Sequence, residues 1–268
     1  MGIPLMIILE NLTKILGGKA ILNGLDLQIE TGETLVLLGR SGTGKSVTLR
    51  HIVGLMTPDG GRVEVLGKEI SGHSEEELKY VRSKVGYLFQ DGALLNWLTV
   101  EENVALPLKE FGKTPTSEIN DRVQEVLKEV ELDFHADKFP SEISGGMRKR
   151  AGLARALISR PEIVLHDEPT SGLDPISSSI INRLVNRLKS SGITQVLVTH
   201  DMHSAFEVAD RIALLHEGKI RSLGTVEEIR NSADEAVQQF LDGKIKGPLT
   251  QGAIDGVCDS EENGNEAT

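Results

Sequence analysis

The chain has 268 residues, 39% of them hydrophobic and 3% aromatic, one cysteine and a formal net charge of −11. That length suits one large or two small domains with a well-buried core, and the acidic balance argues against nucleic acid as a partner, since phosphate contacts need a basic surface. The lone Cys258 excludes a disulfide framework or a cysteine metal cluster and suits a reducing cytosol.

The first apolar run, Ile3 to Leu9, is far below the roughly 20 residues that cross a bilayer. No charged segment and small-residue cleavage site frame it as a signal peptide, so it reads as a buried strand. The first forty residues read as short strands broken by Gly17-Gly18, Asn23-Gly24 and Thr31-Gly32, ending in Leu35-Val36-Leu37-Leu38. A helix starts inside the following glycine loop and stops near Gly54. Thr57 to Gly61 is a turn before a strand pair, Val63 to Val65 and Lys68 to Ile70, and Ser74 with Glu77 forms a capping box for a short helix.

Tyr87 to Gln90 reads as a strand, and from Asp91 to about Arg160 the pattern is helical. Ile119, Val123, Val126, Leu127 and Val130 share one face, and Ala151 to Ile158 is rich in helix formers. Strand-helix alternation then resumes: Ile163 to Leu165, Gln195 to Thr199, Arg211 to Leu215 and Lys219 to Leu223 are strands. Helices follow Pro175 and Asp201, and Thr225 with Glu228 caps another. The expected organisation is an α/β domain over residues 1–242, with a core of about 1–90 and 160–242 and a helical insertion of about 91–159. Residues 243–268 read as a flexible tail, acidic and glycine-rich from about Gly247, with five acids and no base between Asp255 and Thr268. No internal repeat is evident.

Chemistry enters at Gly39-Arg40-Ser41-Gly42-Thr43-Gly44-Lys45-Ser46. The glycine spacing fits a phosphate loop, whose backbone N–H groups curl around a β-phosphate at a helix N-terminus. Lys45 would reach the β- and γ-phosphates, Ser46 would hold Mg²⁺, and Val47 continues the nucleotide contact. A chance glycine turn is the bland alternative; the buried-type strand before the loop and the helix after it argue against it. Asp167-Glu168 ends an apolar strand, which suits a metal-linked Asp167 and a Glu168 that polarises the attacking water. His166, just before them, reads as a packing or hydrogen-bonding residue. Ser144-Gly145-Gly146-Met147 opens a second helix, whose free N–H groups could grip phosphate. One domain has little use for two grips on one γ-phosphate, so the segment hints at two copies facing each other. The adjoining Arg148-Lys149-Arg150 reads as a solvated helix face or as an aid to phosphate binding.

With the glycine loop, Ser144 to Met147, Asp167-Glu168 and Ser171-Gly172-Leu173-Asp174 in that order, residues 5 to about 230 resemble the ATP-binding-cassette ATPases. The resemblance implies a P-loop NTPase of ABC type: a RecA-like core with an antiparallel β subdomain and an inserted helical subdomain. It implies ATP and Mg²⁺ as cofactors and an ATP sandwich between two copies. Gln90 then resembles the residue that senses Mg²⁺ and water and couples to a membrane partner. Ser144, Gly145 and Gly146 resemble the signature on the γ-phosphate of the opposite subunit, Asp174 a dimer contact, and His200 the switch histidine. Met147 stands where Gln is commoner, and Leu16 where the family usually offers an aromatic to stack on adenine.

Three stretches look like the Mla-type ATPases that serve phospholipid transport with MCE-domain proteins. These are Leu88 to Leu94, Ser141 to Ala156, and Gln239 to Gly243 with Gly247-Pro248. The resemblance implies a motor on the cytoplasmic face of the membrane, working on an integral membrane permease with an MCE-domain partner and no nucleic acid. Asn96-Trp97-Leu98 is a candidate permease contact. A polar-solute importer and a soluble ATPase of iron-sulfur assembly are the rival readings.

Overall fold

The computed structural model describes residues 4–72, 75–111 and 114–250. Strands β1 (Leu5–Leu16) and β2 (Lys19–Glu30) form a long antiparallel hairpin about Gly17-Gly18, both at positive φ. Alternating burial along β1 and β2 puts Ile7, Leu9, Leu25 and Leu27 on the inner face. Asn23-Gly24, expected to end a strand, instead lies within β2 at a register shift opposite Thr13. Gly24 N–H is held by Thr13 Oγ1 at 3.2 Å. The same turn chemistry serves a bulge, which lets β2 bend without stopping.

Strand β3 (Thr34–Leu38) is buried throughout and runs into the glycine loop and α1 (Lys45–Ile52). Strands β4 (Gly60–Val65) and β5 (Lys68–Glu69) complete an antiparallel sheet in the order β2-β1-β4-β5. Helix α2 (Glu75–Lys84) follows; Ser74 of the expected capping box lies outside the described residues. Strand β6 (Val85–Leu88) leads to the inserted helices α3 (Val100–Phe111), α4 (Thr116–Glu129) and α5 (Gly145–Leu157). All five residues of the stripe from Ile119 to Val130 are buried, against Leu88, Val100, Leu153 and Val164.

The chain then alternates through β7 (Ile163–Asp167), α6 (Pro175–Ser190), β8 (Thr194–Thr199) and α7 (Met202–Val208), before β9 (Arg211–His216) and β10 (Lys219–Thr225). The six-stranded sheet has the order β10-β9-β3-β8-β7-β6, parallel except for β10. Its central strands are apolar on both faces because one face packs on the antiparallel sheet and the other on α6 and α7. Helices α8 (Val226–Arg230), with the expected Thr225–Glu228 capping box, and α9 (Glu235–Asp242) close the fold.

The flexible stretch expected from residue 243 departs from the structure over its first eight residues. Gly243 caps α9 in the left-handed conformation, and a 3₁₀ turn, Pro248–Thr250, packs back on α9 with Leu249 buried. The buried Gln239 amide accepts from Leu249 N–H at 2.7 Å and donates to Lys244 O and Thr250 Oγ1, each at 3.1 Å. A single apolar residue and a satisfied buried amide order a segment whose composition reads as loop. Residues 251–268 lie outside the described residues.

One buried polar ladder crosses the sheet. Gln195 Nε2 donates to Val185 O at 3.0 Å and Thr34 Oγ1 at 3.1 Å, so its Oε1 accepts from His166 Nε2 at 3.0 Å. That places the proton on Nε2 and leaves the buried Nδ1 without a partner. Burial in this apolar setting lowers the His166 pKa to about 4. The unfolded chain takes up this proton near pH 6.5 and the folded chain does not, so stability falls as pH drops from about 6.5 towards 4, by on the order of 3 kcal/mol from this residue. His166→Leu should therefore flatten the dependence of unfolding free energy on pH over that window. Denaturant titrations at pH 7 and pH 5 on both proteins measure the difference.

Candidate active site

The glycine loop sits where β3 ends and α1 begins. Gly44, the last residue before the helix, has φ 105°, and a Cβ there would lie 2.8 Å from Leu22 Cδ2; only glycine fits. Lys45 folds its side chain back over the loop, with Nζ donating to Gly39 O at 2.8 Å and Arg40 O at 3.1 Å. Burial holds this ammonium below its usual pKa range, opposed by the Glu168 carboxylate 3.6 Å away. Beside it, Ser46 Oγ donates to Asp167 Oδ1 at 2.7 Å, and Tyr87 OH donates to Asp167 Oδ2 at 3.2 Å. Burial, then the nearby Asp167 charge, pushes the Tyr87 hydroxyl pKa up, so it remains a donor.

Glu168 follows Asp167 off the end of β7 with φ 50°, a left-handed backbone unusual for a residue with a side chain. It is over-determined from several sides. Its N–H donates to Val198 O at 3.0 Å, and Oε2 accepts from Thr199 Oγ1 at 3.4 Å and pairs with His200 Nδ1 at 2.8 Å. The side chain of Glu168 is 12% exposed and that of His200 is 56% exposed, so a base reaching solvent is backed by one that scarcely does.

Lys45, Ser46, Glu168 and His200 share a cavity of about 410 Å³. Ser41, Gly42, Gly44, Lys45, Ser46, Gln90, Glu168, Ser171 and His200 form its polar part, and Leu16, Ile21 and Val47 an aliphatic part. Of the sequence-predicted residues, Gly39, Arg40, Thr43 and Asp167 do not line it, Asp167 reaching it only through its bond to Ser46. The Arg40 guanidinium donates to Leu249 O at 2.7 Å, and Thr43 Oγ1 to Arg40 O at 2.8 Å. Ser144, Gly145, Gly146 and Asp174 do not line this cavity. Ser144 caps α5 through Met147 N–H at 3.2 Å, and Asp174 caps α6 through Ile176 N–H, Ser177 N–H and Ser177 Oγ.

The solvated-face reading of Arg148-Lys149-Arg150 does not hold. Arg148 donates to Ile143 O and Arg150 to Val130 O and Glu131 O. Lys149, 5% exposed, donates to Glu168 O and Ser171 O. All three cations tie down carbonyls, and none of the three faces the cavity. Sequence reasoning missed this use of Lys149, along with Tyr87, Ile21 and Ser171. Tyr87 reaches Asp167 only because its strand pairs with the one ending there, which the sequence does not show.

The donor set suits one metal ion. Among the described residues no cluster of three or more His, Cys, Asp or Glu side chains could hold a metal. A Ser46 hydroxyl against an Asp167 carboxylate is instead two hard oxygens side by side, the protein share expected for Mg²⁺, which takes its remaining ligands from phosphates and water.

A parallel sheet ending in this cavity, flanked by an antiparallel sheet and three inserted helices, can be compared with known proteins. The ABC transporter family profile matches residues 22–171. The chain belongs to the ABC transporter family. It is 42% identical to the probable ribonucleotide transport ATP-binding protein mkl of Mycobacterium leprae over 93% of this chain and 72% of that one. It is 40% identical to the methionine import ATP-binding protein MetN of Caulobacter vibrioides over 84% and 68%. Against the intermembrane phospholipid transport system ATP-binding protein MlaF of Haemophilus influenzae it is 37% identical over 91% and 93%. A solved dimeric ATP-binding cassette in a post-hydrolysis state, bound to ADP and Pi, superposes with a TM-score of 0.77 at 35% identity, covering 82% of this chain and 99% of that one. The expected ABC cassette fold and ATPase class both hold. No helix among the described residues of this ABC ATPase is long and apolar enough to cross a membrane.

Tyr87→Phe deletes only the hydroxyl that steadies Asp167. The Mg²⁺ concentration for half-maximal ATP hydrolysis should rise by about tenfold or more, the usual size of an outer-shell loss. Magnesium titrations of steady-state hydrolysis, with thermal unfolding unchanged, test this.

Proposed function

We propose that this ABC ATPase closes head-to-tail on ATP with a second copy of itself and drives a separate membrane permease that moves phospholipid with an MCE-domain partner. One observation carries the catalytic part: residues far apart in sequence, Lys45, Ser46, Gln90, Glu168 and His200, converge on one cavity.

In this reading Lys45 and the loop N–H groups bind the β- and γ-phosphates, and the aliphatic part at Leu16, Ile21 and Val47 receives the base through dispersion contacts. Ser46 and Asp167, with Gln90, would hold Mg²⁺, which would supply charge neutralisation on the phosphates. Glu168 takes a proton from the attacking water, and His200, hydrogen-bonded to Glu168, reaches for the γ-phosphate. Catalysis is then positioning plus charge stabilisation around an in-line water. The placement of Ser144, Gly145 and Gly146 away from their own cavity supports their use on the nucleotide of the other copy, with Asp174 at the same interface.

The cargo reading rests on the residues shared with Mla-type ATPases and on the likeness to MlaF, which spans 93% of that protein. The polar-solute reading draws on the relatives described as ribonucleotide and methionine transporters. Purifying the native membrane complex and identifying its partner chains and bound lipid decides between them. An MCE-domain protein and phospholipid support the lipid reading; a periplasmic-type solute receptor overturns it.

Glu168→Gln should bind ATP as the unaltered chain does and lose hydrolysis by at least about a hundredfold. Steady-state turnover near wild type in that variant would remove Glu168 from the catalytic role. Ser144→Arg should abolish hydrolysis while monomer nucleotide binding, followed by fluorescence titration, stays intact. Full activity there rules out the role given to the signature.

A further inference from the structure

Lys149 is the buried cation that the proposed chemistry leaves unused. Its ammonium donates to Glu168 O at 3.0 Å and Ser171 O at 2.6 Å, the first and last residues of the turn that carries the catalytic carboxylate. That turn closes on itself through Ser171 N–H to Glu168 O at 3.2 Å. Glu168 needs such support because its φ of 50° is unfavourable for a residue with a side chain. Two charge-assisted hydrogen bonds from one ammonium are strong enough to hold it. Burial lowers the Lys149 pKa, and Asp91 and then Glu168 work against that shift.

The same helix is fastened at its other end to the loop after Gln90. Arg155 donates to Ala93 O at 2.7 Å and Gly92 O at 2.8 Å. A Cβ on Gly152 would lie 2.9 Å from Gly92 Cα, so the loop lies flush on α5. Arg155 and Ala156 also wall a groove of about 390 Å³ with Tyr87, Phe89 and Pro107. Helix α5 therefore touches the groove, the Gln90 loop and the Glu168 turn at once.

We propose that Lys149 is a positioning residue that fixes the backbone of Glu168 from α5, so that a shift of α5 at the groove alters the hydrolysis rate of the same subunit. This rests on the reading of Glu168 as the base. A role in phosphate binding does not fit, since both bonds point into the protein. Nor does simple packing: an apolar side chain of equal length would fill the space but leave two carbonyls and a left-handed backbone unsupported.

The test uses the full-length chain with ATP and Mg²⁺, comparing Lys149→Met, which keeps the length and loses the donor, with Lys149→Arg, which keeps donors. Lys149→Met should lower kcat by about tenfold with KM for ATP unchanged, any fall in Tm leaving the chain folded at the assay temperature, and Lys149→Arg should recover most of the rate. In a Glu168→Gln background, Lys149→Met should cause no further loss in single-turnover hydrolysis. A kcat within about twofold of wild type for Lys149→Met overturns the proposal, as does a loss that comes with raised KM or that Lys149→Arg does not recover. Glu168→Gln alone separates the two claims. If it is inactive and Lys149→Met is silent, only the positioning role falls; if Glu168→Gln keeps wild-type turnover, both fall.

Discussion

The site depends on one constraint: β3, β8 and β7 lie side by side, parallel, and finish at the same edge of the sheet. Each strand hands its next residues to one cavity. From β3 comes the glycine loop with Lys45, from β7 Asp167 and Glu168, and from β8 His200. Parallel neighbours need crossover helices, so the segments that meet are far apart in the chain; Ser46 and Asp167, bonded at 2.7 Å, are 121 residues apart. Ligands gather at the carboxyl ends of such strands because there the backbone turns outward and helix N-termini point in.

Buried polar groups keep the three strands in register. The His166–Gln195–Thr34 ladder crosses β7, β8 and β3 beneath the site, and register slippage of any one strand by a residue would turn its members to the other face of the sheet. Above it, Glu168 is held through its amide, carboxylate and carbonyl by three different elements: β8, His200 and Lys149 of α5. A carboxylate proposed to place a water molecule benefits from such redundancy, because misplacement by about 1 Å can cost a hundredfold in rate.

What the sequence discloses follows how local each cause is. His200 is found only through the family resemblance, whereas the loop from Gly39 to Ser46 and the pair Asp167-Glu168 declare themselves because strand, turn and helix must follow within a few residues of each other. The stripe from Ile119 to Val130 is legible for the same reason. Lys149 is not: its acceptors are carbonyls 19 and 22 residues away, brought near by tertiary packing, and a run of three cations on a helix ordinarily faces water. Asn23-Gly24 misleads because the same dipeptide suits a turn and a bulge. The stretch around Leu249 misleads because its order comes from Gln239, ten residues earlier, and its glycine and proline give no periodic signal.

Leu249 also decides where this chain tolerates being cut. Its carbonyl receives Arg40 from the phosphate loop, 209 residues earlier, so the C-terminal turn is wired to the backbone that surrounds the nucleotide cavity. A truncation at the last helix, a protease cut near residue 246 or a tag joined there would strip a buried leucine and release a loop arginine in one stroke. A recombinant chain kept through Thr250 retains the residues that make both contacts.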